Sequence, residues 1–267
     1  MTRIYGILAH PVTHSLSPAI HNTAFQNLKI DAKYEKFDVA PENLKKFIKK
    51  VKTEKISGLS VSIPHKENIL KLLDEISDDV KKIGACNTIL NKNDKLIGFN
   101  TDYLGFLKAL QTKITNLKNK KVIVFGAGGA SRAICYGLKL KKAKVFVTDI
   151  EIEKAQKLAK DFQINAINLK NIDEENFDIV VNATPLGMEG KFENLSACCA
   201  NFFKKTQIVM DIVYKPLMTK FLKDAKTTGC EIITGEKMLL YQAIEQFGIW
   251  TEEKAPVKVM KKALEKN

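Results

Sequence analysis

The stretch KVIVFGAGGASRA (121–133) limits the possible folds of this chain more than any other. An apolar run enters a glycine turn and continues into residues able to start a helix. A strand that is apolar on both faces suits a parallel sheet covered on both sides. Gly126 is placed for the tight turn. Gly128 lets backbone N–H groups approach a pyrophosphate, whose charge is favoured at a helix N-terminus. Ser131 occupies the third glycine position of the fingerprint, leaving Gly129 and Ala130 to supply close packing. A second apolar strand, KVFVT, ends at Asp149, 23 residues after Gly126. Strand, turn, helix and acid-tipped strand in this order predict a Rossmann-type dinucleotide-binding unit, with Gly126, Ala127, Gly128, Gly129, Ala130 and Asp149 against the cofactor.

Asp149 also bears on which dinucleotide binds. A carboxylate there accepts hydrogen bonds from the adenosine ribose and selects NAD. It repels the 2′-phosphate of NADP: two unit charges 4 Å apart at an effective dielectric of 20 differ by about 4 kcal/mol. Asp149 is equally a candidate N-cap for the following helix, and the two roles are compatible.

Elsewhere short apolar runs alternate with helical stretches, which predicts an α/β protein. Strands are predicted at 4–9, 32–39, 56–63, 121–126, 144–148, 178–182, 207–211 and 230–233. Helices are predicted at 18–28, 42–52, 66–73 and 102–112, and 84–100 reads as two strands joined by a polar turn. The C-terminal segment reads as two helices, with Pro256 in the first turn of the second, where it is tolerated.

The net charge of +13 raises the question of a nucleic-acid partner. All but two of the 43 basic residues are Lys, the exceptions being Arg3 and Arg132. Most lie beside Glu or Asp on helix faces, as in EKAQKLAKD, and no arginine cluster is available for base or phosphate recognition. A solvated lysine surface is the reading, with no nucleic acid as partner. No stretch approaches the ~18 apolar residues of a membrane span, and the N-terminus lacks a secretion-signal pattern. A cytoplasmic, reduced environment follows, and five cysteines without a C-x-x-C argue against disulfides or zinc. His10, His14 and His21 lack metal-ligand spacing, so no metal is assigned.

Three segments of the first third place polar groups where strands or loops end. HPVTHSLSPAIHN (10–22) offers Ser15 and Ser17 ahead of a helix with Pro18 at its first position, so Ser17 reads as the cap. Both hydroxyls could also hold an anion. SVSIPHKEN (60–68) puts Lys66 in the first turn of a predicted helix, where a cation opposes the dipole and would become more acidic. GFNTDYLGF (98–106) puts Asp102 at the start of the next helix, with Thr101 or Asp102 as cap.

These segments, with GACNTI, GAGGASRA, NATPLGM, DIVYKPLMT and YQAIEQFGIW, make the chain resemble the shikimate dehydrogenase family nearly end to end. The resemblance implies an oxidoreductase reducing 3-dehydroshikimate to shikimate with a nicotinamide cofactor, in aromatic amino-acid biosynthesis. It implies two domains with a cleft between them. An α/β substrate domain takes 1–101 and 237–267, and a Rossmann-type domain takes 102–236. Lys66 and Asp102 would be catalytic. Ser15, Ser17, Ser62, Asn87, Tyr214 and Gln242 would bind substrate, and Thr184 and Gly235 would lie by the nicotinamide. A monomer or homodimer is expected.

Three departures stand out. Ser60 replaces an asparagine usual in the family, and Glu236 and Lys237 replace smaller residues. NADP-using members typically carry Asn-Arg-Thr where this chain has Asp149, Ile150 and Glu151. NAD is therefore favoured over NADP. Broad quinate/shikimate activity and a non-catalytic nucleotide-binding regulator are the alternative readings.

Overall fold

The apolar runs assemble into two sheets, one in each of two units of the chain. The computed structural model describes residues 2–266. One unit holds the chain up to Asp102 and again from Leu240, and the other holds Tyr103–Leu239.

In the first unit the chain order is β1 (Arg3–Ala9), α1 (Ser17–Asn27), β2 (Ala32–Asp38), α2 (Leu44–Thr53), β3 (Gly58–Val61), β4 (Glu75–Ile76), α3 (Asp78–Ile83), β5 (Thr88–Lys92) and β6 (Lys95–Phe99). The sheet order is β2-β1-β3-β5-β6-β4. The first three strands are parallel, whereas β5 runs antiparallel to both β3 and β6. The β5–β6 turn falls on Asn93 and Asp94, with φ of 53° and 62°. Positive φ at both central residues is what a two-residue hairpin with the sheet's own twist requires, and Asn and Asp tolerate it. One face of this sheet buries Leu8, Leu59, Ile69, Ile89 and Leu96 without accessible surface. Each such side chain contributes about 1.5–3 kcal/mol of hydrophobic stabilisation.

The second unit contains most of α4 (Asp102–Leu110), then β7 (Lys121–Phe125), α5 (Gly129–Leu140), β8 (Lys144–Thr148), α6 (Ile152–Phe162), β9 (Asn165–Ala166), β10 (Ile179–Asn182), β11 (Ile208–Asp211), α7 (Lys220–Thr227) and β12 (Glu231–Ile233). All its strands pair in parallel, in the order β12-β11-β10-β7-β8-β9. The chain starts at the centre on β7, steps outward to β9, then crosses to β10 and steps outward the other way. This is the doubly wound dinucleotide-binding order, and its switch point lies between β7 and β10. β7 is apolar throughout because both its faces are covered: Val122, Ile123 and Val124 have no accessible surface.

α8 (Gly235–Thr251) begins in the second unit and ends in the first, followed there by α9 (Val257–Glu265). In the first unit the Trp250 indole donates to Ile89 O at 3.0 Å and packs on Tyr5, His21 and Tyr34.

Three local expectations are corrected. The predicted helix 66–73 is a turn followed by a short 3-10 segment, Asn68–Leu72. Ile69 is buried there and Leu70, Leu72 and Leu73 pack on the same core, but Lys66 O is taken by Cys86 N, so it is not available to an α-helical i→i+4 bond. Ser17 is the first residue of α1 and not its cap; Leu16 holds the cap position without a side-chain hydrogen bond. Pro256 lies at the cap of α9, one residue ahead of its first turn. Among the described residues no helix is long and apolar enough to cross a membrane.

Candidate active site

In the first unit the polar candidates gather where strands end. The loop after β1 carries Ser15 and leads into Ser17, the first residue of α1, and the turn after β3 carries Ser62 and Lys66. Backbone hydrogen bonds lock the two together: His10 N donates to Ile63 O at 3.0 Å and Ser62 N to Leu8 O at 2.9 Å. Ser17 N donates to Ser15 Oγ at 3.3 Å, so the two serines share one turn. His65, fully buried, bonds through Nε2 to Val39 O at 2.7 Å, and burial pushes its pKa down. A neutral ring donating from Nε2 thus ties the Lys66 turn to the residue after β2. On its other side, Lys66 O accepts from Cys86 N at 2.8 Å.

This anchoring delivers the Lys66 ammonium to Asp102, with Nζ 2.5 Å from Oδ2. The side chains are only 14% and 6% exposed, so the pair is shielded from water. The second oxygen, Oδ1, accepts from Asn87 Nδ2 at 2.8 Å. Asp102 N donates to Asn100 Oδ1 at 3.0 Å, which makes Asn100, and neither Thr101 nor Asp102, the residue receiving the first amide of α4. The helix-dipole argument for Lys66 fails because no α-helix begins there. Its charge is set against a carboxylate. An ammonium has three donors; Asp102 takes one and leaves others to a substrate oxygen.

Asn87 joins these groups. Its Nδ2 lies 2.9 Å from Thr101 Oγ1 and 3.4 Å from Gln242 Oε1, and its Oδ1 accepts from Thr101 N at 2.7 Å. Of the candidates in this unit, Lys66, Asp102, Asn87 and Gln242 are therefore in direct contact. Ser15 and Ser62 stand on the neighbouring loops and Ser17 at the start of α1, apart from that cluster's hydrogen bonds. Sequence reasoning missed Thr88, Thr101 and Gln246. Gln246 was findable, since it follows Gln242 by four residues and falls on the same helix face.

In the second unit, Gly126 has φ +101°, which favours glycine, and a Cβ there would lie 3.1 Å from Ala183 O. A Cβ on Gly128 would meet no protein atom within 4 Å, so packing does not require that glycine. α5 begins at Gly129, and its first internal bond is Arg132 N to Gly128 O. The preceding amides are free of helix partners by geometry. Ala127 differs: its N–H donates to Asp149 Oδ2 at 2.8 Å. Asp149 Oδ1 accepts from Glu151 N at 3.0 Å. The carboxylate therefore braces the glycine turn, and it does not cap α6, whose N-cap is Glu151. A carboxylate has about four lone-pair sites, so these bonds leave capacity for ribose hydroxyls. Glu151 pairs with Lys154 at 2.5 Å, and Ile150 between the two acids is 90% exposed. The turn and the helix N-terminus fit a dinucleotide.

Beside the glycine turn, at the end of the adjoining strand β10, Asn182 organises the loop bearing Thr184: its Oδ1 accepts from Thr184 N at 3.0 Å and Oγ1 at 2.6 Å. Asn182 Nδ2 donates to Asp211 Oδ1 at 3.0 Å. Asp211 also accepts from Val213 N at 2.9 Å and Thr219 Oγ1 at 2.7 Å, fixing the loop that carries Tyr214. Burial nonetheless pushes its pKa up to about 7. Gly235 permits α8 to approach this loop, since a Cβ would sit 2.4 Å from Val213 O. Among the described residues no cluster of three or more His, Cys, Asp or Glu is arranged to hold a metal ion.

Comparison with known proteins agrees across most of the chain. Residues 7–89 match the shikimate dehydrogenase substrate binding domain, 108–200 the shikimate/quinate 5-dehydrogenase family and 235–265 the shikimate 5′-dehydrogenase C-terminal domain. A relative named shikimate dehydrogenase (NADP(+)), from Methanococcus maripaludis, is 44% identical over 98% of this chain and 96% of its own length. The structure of Thermus thermophilus shikimate 5-dehydrogenase with NADP(H) and shikimate superposes with a TM-score of 0.90 at 36% identity, covering 100% of this chain and 99% of that one. The Listeria monocytogenes enzyme, with shikimate and NAD, gives 0.87 at 33% identity, covering 98% and 96%.

Proposed function

The chain belongs to the shikimate dehydrogenase family, oxidoreductases acting on a CH–OH group, and from that premise we propose that it interconverts 3-dehydroshikimate and shikimate. The observation that carries this is the shielded Lys66–Asp102 contact with Asn87 on the second carboxylate oxygen. A non-catalytic regulator would be expected to have lost Lys66 or Asp102, and both are present and in contact.

The nicotinamide supplies a hydride to the carbonyl carbon in reduction and accepts it in oxidation. Lys66 serves the oxygen at that carbon. It gives a proton as the carbonyl becomes a hydroxyl and takes one back in reverse, or stabilises the developing alkoxide by charge. Asp102 holds the ammonium in place and offers a carboxylate to the hydroxyl. Asn87 and Gln242 bring amide groups that can donate to and accept from ring hydroxyls, and Ser62 adds a hydroxyl. Ser15 and Ser17, with Tyr214, are assigned to the substrate carboxylate. In the other unit, Gly126, Gly128, Gly129 and Ala130 are assigned to the pyrophosphate, and Thr184 and Gly235 to the nicotinamide end. Ala127 braces the turn through Asp149 and contacts the cofactor only through other atoms than its N–H.

For the cofactor we propose NAD. Support comes from two acids, Asp149 and Glu151, flanking an exposed Ile150 where a phosphate clamp would need a cation. The NADP names of the relatives predict the opposite preference. Steady-state rates with shikimate and quinate against NAD and NADP test both points. Higher kcat/KM with NADP rejects the cofactor assignment. Absence of shikimate turnover with either cofactor rejects the reaction itself.

A further inference from the structure

Behind the Lys66–Asp102 pair runs a buried chain of hydrogen bonds whose direction can be worked out. Gln246 Nε2 lies 3.1 Å from Asn87 O and 3.1 Å from Thr88 Oγ1. A backbone carbonyl only accepts, so the Gln246 amide must turn its nitrogen toward Asn87 O. Its oxygen then faces Ser60, and Ser60 Oγ donates to Oε1 at 2.9 Å. Having spent its proton there, Ser60 accepts from Tyr34 Oη at 2.6 Å. On the other side, Thr88 Oγ1 accepts from Gln246 and donates to Asn87 Oδ1 at 2.7 Å. Asn87 Oδ1 is thereby an acceptor, which leaves Nδ2 to donate to Asp102 Oδ1.

Every donor points the same way: Tyr34, Ser60, Gln246, Thr88, Asn87, Asp102. Gln246 is 1% exposed and Thr88 not at all, and each spends its polar atoms on protein partners, so neither is assigned to the substrate. A neutral amide flipped by half a turn presents the wrong group to each neighbour, and the fixed carbonyl of Asn87 excludes that flip.

We propose that Gln246 and Thr88 are positioning residues for the acid–base pair. Together with the Thr101 backbone N–H, which also donates to Asn87 Oδ1 at 2.7 Å, they fix the Asn87 amide with its N–H toward Asp102, and thereby hold Asp102 against Lys66. The proposal rests on the reaction assigned above. Its consequence is that two residues without substrate contact control turnover, since a small misplacement of a reacting group costs rate steeply.

The test uses the full chain with Thr88→Val and Thr88→Ser. Val keeps the shape and removes the hydroxyl, whereas Ser keeps the hydroxyl. Thr88→Val is expected to lose about tenfold or more in kcat for shikimate oxidation, and Thr88→Ser to recover most of that loss. Crystal structures of both variants supply a readout independent of turnover: with one of the two donors to Asn87 Oδ1 removed, the Asn87 Nδ2–Asp102 Oδ1 contact lengthens in the Val variant, and it keeps its length in the Ser variant. Gln246→Met, which keeps length and removes the donor, should behave like Thr88→Val and stands in for it if that protein does not fold. A Val variant with kcat within twofold of wild type, or with the Asn87–Asp102 contact unchanged in length, overturns the proposal. If the wild-type protein itself does not turn over shikimate, the assigned reaction fails, and the crystallographic contact still decides the positioning claim.

Discussion

His21 offers a quantitative test of the first unit's interior. The imidazole has no accessible surface and stacks on Tyr34 with ring centroids 4.6 Å apart at 14°, while Phe25 and Trp250 cover it at a tilt. Neither ring nitrogen has a hydrogen-bond partner. Burial pushes the pKa down to about 3; the Gln246 amide opposes the shift, but its polar atoms are committed to Ser60, Asn87 and Thr88. The unfolded chain therefore binds a proton at this residue that the folded chain refuses. Above the ordinary histidine value of 6.5 both states are neutral and stability is unaffected. As pH falls below it the unfolded state gains the proton first, so stability drops until the folded pKa is reached. With those two values the loss between about pH 8 and about pH 4.5 is roughly 2.7 kcal/mol. His21→Phe keeps an aromatic ring in the stack and removes the titration. Urea unfolding of both proteins across that range reads the difference. Wild type should lose roughly 2–3 kcal/mol more than the variant over the interval, whatever their offset at neutral pH. Parallel curves would refute the reasoning, and would mean that the ring is hydrogen-bonded or solvated in the folded state.

Lys66→Met should lower kcat by about 10²–10⁴-fold while leaving nucleotide binding to the other unit unchanged, checked by turnover and by titration with cofactor. Asp211→Asn tests the second unit with the opposite sign. Its folded pKa of about 7 lies above the ordinary 3.8, so wild type loses stability as pH rises between those values; that loss is up to about 4 kcal/mol. The Asn variant should show a flatter profile in urea unfolding from about pH 4 to about pH 8. An Asp149→Asn, Ile150→Arg double variant should gain NADP use by about tenfold or more in kcat/KM, since one repulsion of about 4 kcal/mol is removed and a cation added. An unchanged NADP/NAD ratio would show that neither side chain faces the ribose.

Much of this was readable from residues alone, for a definite reason. The second unit's sheet announces itself because parallel strands covered on both faces must be continuously apolar, and its turn because a positive φ at Gly126 favours glycine. The hairpin 84–100 was legible from its polar turn, Asn93–Asp94. Lys66 and Asp102 were nominated by type and by family resemblance. What failed was local. Helix propensity at 66–73 lost to a backbone whose Lys66 carbonyl is already committed to Cys86 N, and Ser17 proved not to cap α1.

The order of residues along the chain is enough to specify the class of fold, the succession of its elements and the residue types able to move a proton or hold a dinucleotide. These follow from periodicity and from backbone conformations that few residues adopt. Tertiary structure alone decided that Lys66 meets Asp102, that Asn87 stands between Asp102 and Gln242, and that Asp149 braces the glycine turn. Such pairings join residues from 15 to 186 positions apart in the chain, as in Asn87–Asp102 and Ser60–Gln246. They depend on which strand ends the sheet brings side by side, and no local pattern encodes that.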